Sequence, residues 1–359
     1  MDPLSLIRHD FADLEAYIPV KPLDVLAAEI GIPVERLVKL DANENLYGAC
    51  QEVRDAIAAV DLHIYPDPGQ TQLRAAIAGY VGVNDDQVVA GTGADELIDI
   101  LLRLVMPTKV AIATPTFGMY RFLAKISRAA PIEVPRRPNF DLDVVAIQRE
   151  VHAGASIVFL TSPNNPTGNA LNRHELEALC TLPALIVVDE AYIEFGGDSA
   201  IPMIAAHPNL VVLRTFSKWA GLAGLRVGYA VADASLAQPM MAIKQPYNVN
   251  IAADVAARAA IEHRATIFET VRCIVGERDR MSGLVAALGW LKPLPSQANF
   301  VLFAVEGRSA SDVAAGLRRQ GVLVRHYDRP DLANYIRISA GRPEDTDRLL
   351  DALRALEAA

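Results

Sequence analysis

Arg214-Thr215-Phe216-Ser217-Lys218-Trp219-Ala220-Gly221-Leu222, running on to Arg226, follows directly on the apolar run Leu210 to Leu213. Short, near-continuous apolar runs read as strands buried on both faces, the kind found in parallel sheets covered by helices. The lysine stands just past the strand, with two hydroxyls before it and an arginine after it. An amine that forms a Schiff base with an aldehyde beside a phosphate needs that arrangement. Lys218 supplies the nucleophile, while Thr215, Ser217 and Arg226 supply phosphate donors a few residues away.

Outward from this stretch, apolar and β-branched runs alternate with helical patterns between residues 87 and 231. Strands are predicted at Gln87 to Ala90, Lys109 to Ala113, Ile132 to Val134, Ser156 to Leu160, Leu185 to Val188, Leu210 to Leu213 and Val227 to Val231. Helices are predicted at Asp95 to Val105 and Asn172 to Cys180. The alternation specifies α/β layering with a mostly parallel, seven-stranded sheet between helices. After Pro246 the pattern changes to one long helix over Ala252 to Leu288, strands at Ala298 to Phe303, Val322 to Val324 and Tyr335 to Ile338, and helices at Ser309 to Gln320 and Pro343 to Leu356. That is a smaller α+β unit. The expected organisation is a large domain over 41–245 and a small one over 246–359, with 1–40 packing against the small one.

Composition narrows the function. The chain has 359 residues, 52% of them hydrophobic and 21% charged, which suits a well-packed two-domain enzyme. A formal charge of −9 argues against nucleic acid or an anionic membrane as partner, and leaves room for a small anion held by a few arginines. No apolar stretch reaches the length of a membrane span and no leader pattern opens the chain, so a cytoplasmic protein is expected. Cys50, Cys180 and Cys273 lack metal-site spacing and read as buried free thiols. The histidines have no partners at metal-binding spacing, so no metal is expected.

Three more segments sit where strands end, and ligands of open α/β sheets collect at carboxyl ends. Gly91-Thr92-Gly93-Ala94-Asp95-Glu96 leads from a strand into a helix. It is either a phosphate seat of free backbone N–H groups or a plain glycine turn capped by Asp95. In Leu185-Ile186-Val187-Val188-Asp189-Glu190-Ala191-Tyr192 a carboxylate ends a buried strand, so it needs a cation, such as a protonated pyridine nitrogen. A Walker-type metal role lacks its phosphate loop. Ser162-Pro163-Asn164-Asn165-Pro166-Thr167-Gly168 presents asparagine amides on a tight loop.

Taken in order, the Gly93-Ala94-Asp95-Glu96-Leu97, Ser162–Gly168, Asp189–Tyr192 and Arg214–Lys218…Gly228 segments resemble the fold-type I aminotransferases that depend on pyridoxal 5′-phosphate. The flanks Leu40–Gly48, Tyr65-Pro66-Asp67-Pro68, Pro115–Tyr120 and Arg337-Ile338-Ser339 are similar to the histidinol-phosphate branch. The resemblance implies that Lys218 forms the Schiff base and shuttles a proton, and that Asp189 pairs with the pyridinium nitrogen. It gives Tyr192 and Asn165 to the 3′-oxygen and Phe117 to a ring face. Ala94, Asp95, Ser217 and Arg226 would hold the phosphate, joined by Tyr65 from a second subunit, hence a homodimer with shared sites. Tyr17, Asn43, Arg325 and Arg337 would hold substrate. Two positions depart from the family pattern: Val20 replaces a glycine near Tyr17, and Leu46 replaces a proline.

The implied reaction is ping-pong transfer of an amino group between L-histidinol phosphate and 2-oxoglutarate, with imidazole acetol phosphate and L-glutamate on the other side. An aromatic amino-acid aminotransferase and a threonine-phosphate decarboxylase share the cofactor motifs. A ligand-sensing regulator on the same scaffold would carry a DNA-binding helix-turn-helix, for which this acidic chain has no room.

Overall fold

A computed structural model describes residues 3–11 and 21–357. Its centre is a seven-stranded sheet in the spatial order Val88–Gly91, Gly228–Val231, Leu210–Thr215, Leu185–Asp189, Ile157–Thr161, Lys109–Thr114, Ala130–Pro135. Gly228–Val231 runs antiparallel to both neighbours and the other pairings in the sheet are parallel. The apolar runs are interior strands: every residue of Ile157–Thr161 and of Leu210–Thr215 is buried. Helices cover both faces, which is why these runs lack the polar alternation of a one-sided sheet. One face packs Leu97, Leu101 and Tyr120, and the other packs Phe216, Trp219 and Tyr229.

The C-terminal part forms a four-stranded antiparallel sheet in the order Arg325–His326, Tyr335–Ser339, Phe300–Val305, Leu291–Pro293. From residue 21 onward the N-terminal stretch joins this part. Val38–Lys39 pairs in parallel with Val322–Leu323, and Val38 and Leu40 share a core with Phe303, Leu317 and Leu349.

Strand ends fall within a residue or two of the sequence expectations, but three readings need correction. The long helix over 252–288 is two helices, Ile251–Glu262 and Arg264–Ala286, broken at His263 with φ −96° and ψ 22°. Neither glycine nor proline marks that break, so local sequence carried no signal for it. The first of these helices packs its alanine face on the large core, beyond residue 245. The cysteines are not uniformly buried: Cys180 is, Cys50 is half-buried and Cys273 is exposed on the outer side of Arg264–Ala286. The strands Leu291–Pro293 and Arg325–His326 went unread because two- and three-residue strands have no detectable period.

Phe303 is fully buried in the smaller sheet. Phe303→Ala should therefore destabilise the protein by about 3–5 kcal/mol, from lost transfer energy plus a cavity. Urea denaturation followed by circular dichroism measures this, and a loss under about 1 kcal/mol would contradict the packing.

Candidate active site

The carboxyl ends of the parallel strands meet at one cleft of about 150 Å³. Register does the gathering: Thr161 lies beside Asp189 across one strand pair, and Thr215 and Gly91 both lie opposite Gly228. Each strand then releases its loop toward the same space, bringing Ala94, Asp95, Phe117, Asn165, Asp189, Tyr192, Ser217, Lys218 and Arg226 to the cleft wall.

Lys218 enters from the turn after Leu210–Thr215, which Trp219 anchors. The indole is fully buried, stacked on Tyr80 at 5.6 Å and on Phe268 at 5.5 Å. The Lys218 Nζ donates to the Ala42 carbonyl at 3.3 Å and lies 5.8 Å from the Tyr192 ring centre. Burial lowers its pKa to about 8, with the positive charge of Arg337 adding to the effect. An amine of that basicity is neutral, hence nucleophilic, in roughly a tenth of molecules at pH 7.

Asp189 lies at the floor. Its Oδ1 accepts the Ala191 N–H at 3.0 Å and its Oδ2 accepts the Tyr120 hydroxyl at 2.7 Å. Desolvation pushes its pKa up to about 6, and these two donors hold it back from rising further. Among the described residues no lysine, arginine or histidine forms an ion pair with it. The neighbouring Glu190 points to the opposite face of the sheet, as strand alternation requires, and pairs with Arg214 at 2.9 Å. A buried carboxylate that opens on a cleft and lacks a protein cation fits a protonated ring nitrogen as partner.

At the other end the helix Gly93–Val105 presents its N-terminus. Arg226, at φ +51°, reaches back so that its guanidinium lies 3.4 Å from Ser217 Oγ and 3.4 Å from Asp95 Oδ2. Thr215 Oγ1 donates to Ser217 Oγ at 2.9 Å. Gly228 makes this seat possible by close approach. A Cβ there would lie 2.8 Å from the Arg214 carbonyl oxygen and 3.0 Å from the Ala94 nitrogen, both backbone atoms. Backbone N–H groups, two hydroxyls, a guanidinium and a helix N-terminus together fit a phosphate.

Above the cleft is a second chamber of about 300 Å³ that shares Phe117, Asn165, Tyr192 and Lys218. Arg337, buried, donates from Nη1 to Asn165 Oδ1 at 2.6 Å and from Nη2 to the Asp41 carbonyl. Its Nε is buried without a hydrogen-bond partner. Arg325 lies with its guanidinium carbon 5.6 Å from the Tyr327 ring centre, and no carboxylate among the described residues pairs with it. Asn43, at φ +55°, ties the two sheets together. Its Nδ2 donates to Tyr192 Oη at 3.0 Å, and its backbone N–H donates to Ser339 Oγ at 3.0 Å. Burial raises the Tyr192 pKa to about 12, partly offset by Arg337 and by the Asn43 donor.

Within one chain Tyr65 stands apart from this assembly, in keeping with a role expected of it only from a second subunit. Tyr65 is 78% exposed and stacks on Tyr247 at 4.6 Å, away from both chambers. Tyr17 lies outside the described residues. Conversely, Thr161 and Arg329 line the site and Tyr120 lies behind Asp189, none of them singled out by the sequence reading. Tyr120 had been quoted only as the end of the Pro115–Tyr120 motif.

The family described as aminotransferase class I and II matches residues 35–353. The chain belongs to the class I and II aminotransferases. This aminotransferase is 46% identical to the histidinol-phosphate aminotransferase of Roseiflexus castenholzii, over 98% of each chain. It is 43% identical to the chloroplastic histidinol-phosphate aminotransferase 1 of Arabidopsis thaliana, over 98% of this chain and 85% of that one. Among solved structures it resembles the histidinol-phosphate aminotransferase of Sinorhizobium meliloti in complex with pyridoxal-5′-phosphate, with a TM-score of 0.89, 27% identity and 99% of both chains covered.

Gly228→Ala should push the Gly93–Ala94 turn away from Arg226 and weaken pyridoxal 5′-phosphate binding at least tenfold. Fluorescence titration of the apoprotein reads this directly, with the melting temperature as the folding control. Unchanged affinity would show that the close approach has no bearing on the seat.

Proposed function

We propose that this aminotransferase binds pyridoxal 5′-phosphate and interconverts L-histidinol phosphate plus 2-oxoglutarate with imidazole acetol phosphate plus L-glutamate, the step of histidine synthesis for which its relatives are named. The observation that carries the cofactor reading is Asp189, a buried carboxylate with no cationic partner among the described residues, set across one cleft from a low-pKa lysine. When bound, the cofactor supplies an aldehyde that condenses with amines and a ring that accepts the electron pair left at a substrate carbon.

The protein's own groups supply the rest. Lys218 Nζ is the amine that would hold the aldehyde when the cofactor is bound, and it would take and return a proton at the substrate carbon. A pKa near 8 suits both directions of that transfer at neutral pH. Asp189 keeps the ring nitrogen protonated. Tyr192, oriented by Asn43, and Asn165, oriented by Arg337, hold the ring's hydroxyl side, while Phe117 covers a face. Ala94, Asp95, Ser217 and Arg226 seat the phosphate.

Arg337 and Arg325 receive the substrate's anionic end, either the phosphate of histidinol phosphate or the distal carboxylate of glutamate. Guanidinium forks accept both geometries, which lets one chamber serve two unlike substrates in turn. Asn43 borders the same chamber, and Tyr17 is proposed to contact the substrate phosphate.

The same reading makes the enzyme a homodimer, with Tyr65 reaching the partner's phosphate seat. Tyr65 stands on an exposed apolar patch with Leu62 at 77% and Ile64 at 57% exposure, which a second copy of the chain would cover. It also divides the chain into a cofactor unit over 41–245 and a smaller unit over 246–359 joined by 1–40, in the cytoplasm. No helix among the described residues is long and apolar enough to cross a membrane.

Single-turnover spectroscopy tests the substrate. Histidinol phosphate should discharge the cofactor chromophore rapidly, with L-phenylalanine and O-phospho-L-threonine slow. Preference for phenylalanine would move the enzyme to the aromatic branch, and carbon dioxide from phosphothreonine would replace transfer by decarboxylation. Lys218→Ala should abolish the adduct that borohydride traps, read as intact mass; a trapped adduct in the variant would remove Lys218 from its role. Because the amine is neutral above its lowered pKa, cofactor capture by the wild-type apoprotein should rise with pH and level off above about 8. A rise continuing past pH 10 would indicate an ordinary lysine.

A further inference from the structure

We infer that Tyr120 is a positioning residue for this reaction: its phenol, oriented by Thr161, holds Asp189 ionised and turned toward the cleft, so that the cofactor's ring nitrogen keeps its proton. The inference rests on the cofactor reading above.

Tyr120 does not line the cleft, so it acts there through the lining groups it touches, and its hydroxyl proton goes to the Asp189 carboxylate. It is fully buried, with its ring parallel to Phe159 at 5.0 Å and edge-on to Phe117 at 5.7 Å. Those contacts fix the ring on the helix Met119–Ile126 and aim the hydroxyl at Asp189 Oδ2, 2.7 Å away. An ionised carboxylate only accepts hydrogen bonds, so the phenol donates its proton there. Thr161 Oγ1, 2.9 Å from the phenol oxygen, is then the donor that keeps the phenol turned.

Thr161 is itself fixed. Thr116 Oγ1 lies 3.0 Å from it and donates to Asn164 Oδ1 at 2.8 Å. Both N–H bonds of the fully buried Asn164 amide are engaged, by the Pro115 carbonyl at 3.0 Å and Thr167 Oγ1 at 2.7 Å, which settles its orientation. The Ser162–Gly168 loop thus holds Thr116 against Thr161 by position alone, since both threonine protons are committed elsewhere, while Thr161 and Tyr120 form the directional pair that ends on Asp189.

Burial alone drives a carboxylate toward its neutral form, and a donor aimed at the charged form opposes this. Asp189 has two such donors, and the Ala191 amide is set by the backbone. Tyr120 supplies the side-chain one. Without it the proton shared between Asp189 and the ring nitrogen shifts toward the carboxylate. The ring then accepts electrons less readily.

The test uses Tyr120→Phe, which retains the ring packing, loaded with cofactor carrying nitrogen-15 in the ring. The nitrogen resonance should move from the pyridinium toward the neutral pyridine position. Cofactor binding should weaken about tenfold, equivalent to about 1.4 kcal/mol. In an Asp189→Asn background, the same substitution should change neither quantity. Should Tyr120→Phe fold poorly, Thr161→Val should produce the same shift in smaller measure.

A retained pyridinium signal with affinity within twofold of wild type would overturn the inference. So would an equal tenfold loss in the Asp189→Asn background, because that is what a packing role predicts. Wild-type protein that binds no cofactor would overturn the proposed function and this inference together, whereas failure of the variant arms alone leaves the function standing.

Discussion

A single buried carboxylate constrains the rest of this molecule. Asp189 stands at the end of a strand with apolar neighbours on both faces, where an unpaired charge is among the costliest things a fold can hold. Two hydrogen bonds and a cleft are what the structure gives it. The strand order, the loop from Ser162 to Gly168 and the helix that begins at Met119 all serve to deliver those donors and keep them aimed. The opposing charge, in the proposed function, comes with the cofactor. The site is therefore complete only when loaded, which couples cofactor binding to stability.

The reaction also needs two sheets to meet at fixed distance. Asn43 does this with a backbone conformation few residues adopt, bonded at once to Tyr192 in the larger layer and Ser339 in the smaller. Arg337 repeats the bridge from the other side through Asn165 and Asp41. The groups that the proposed function assigns to cofactor and to substrate are thereby linked by direct hydrogen bonds. Behind Lys218, the pair of Arg214 with Glu190 occupies the face of the sheet turned away from the cleft, so the two acids of the Asp189-Glu190 step have different tasks.

Much of the layer structure was legible in the sequence because doubly covered strands write themselves as continuous apolar runs, as in Ile157–Thr161 and Leu210–Thr215. The residues at strand ends were legible for a related reason: a charged or hydroxyl residue directly after such a run has few bland uses. Less legible was the break at His263, where an alanine-rich helix meets a longer one without a breaker residue. Tyr120 was hidden because an aromatic among apolar neighbours reads as core. It is core by its ring and site by its hydroxyl, and only contact geometry separates the two.

Sequence alone determined the chemistry available: one lysine beyond a buried strand, one strand-end carboxylate, a glycine-rich helix start and arginines on a late strand, in an order that resembles one aminotransferase family. Tertiary structure alone decided which groups face each other. Register put Thr161 beside Asp189, and alternation turned Glu190 away. Close approach at Gly228 opened the phosphate seat, and Tyr65 was left on the outer surface. The reason is physical. Periodicity and composition are local properties of a chain, whereas a pKa, a donor's aim or a residue's access to a cleft depends on atoms brought together from distant segments, and only packing fixes their separation.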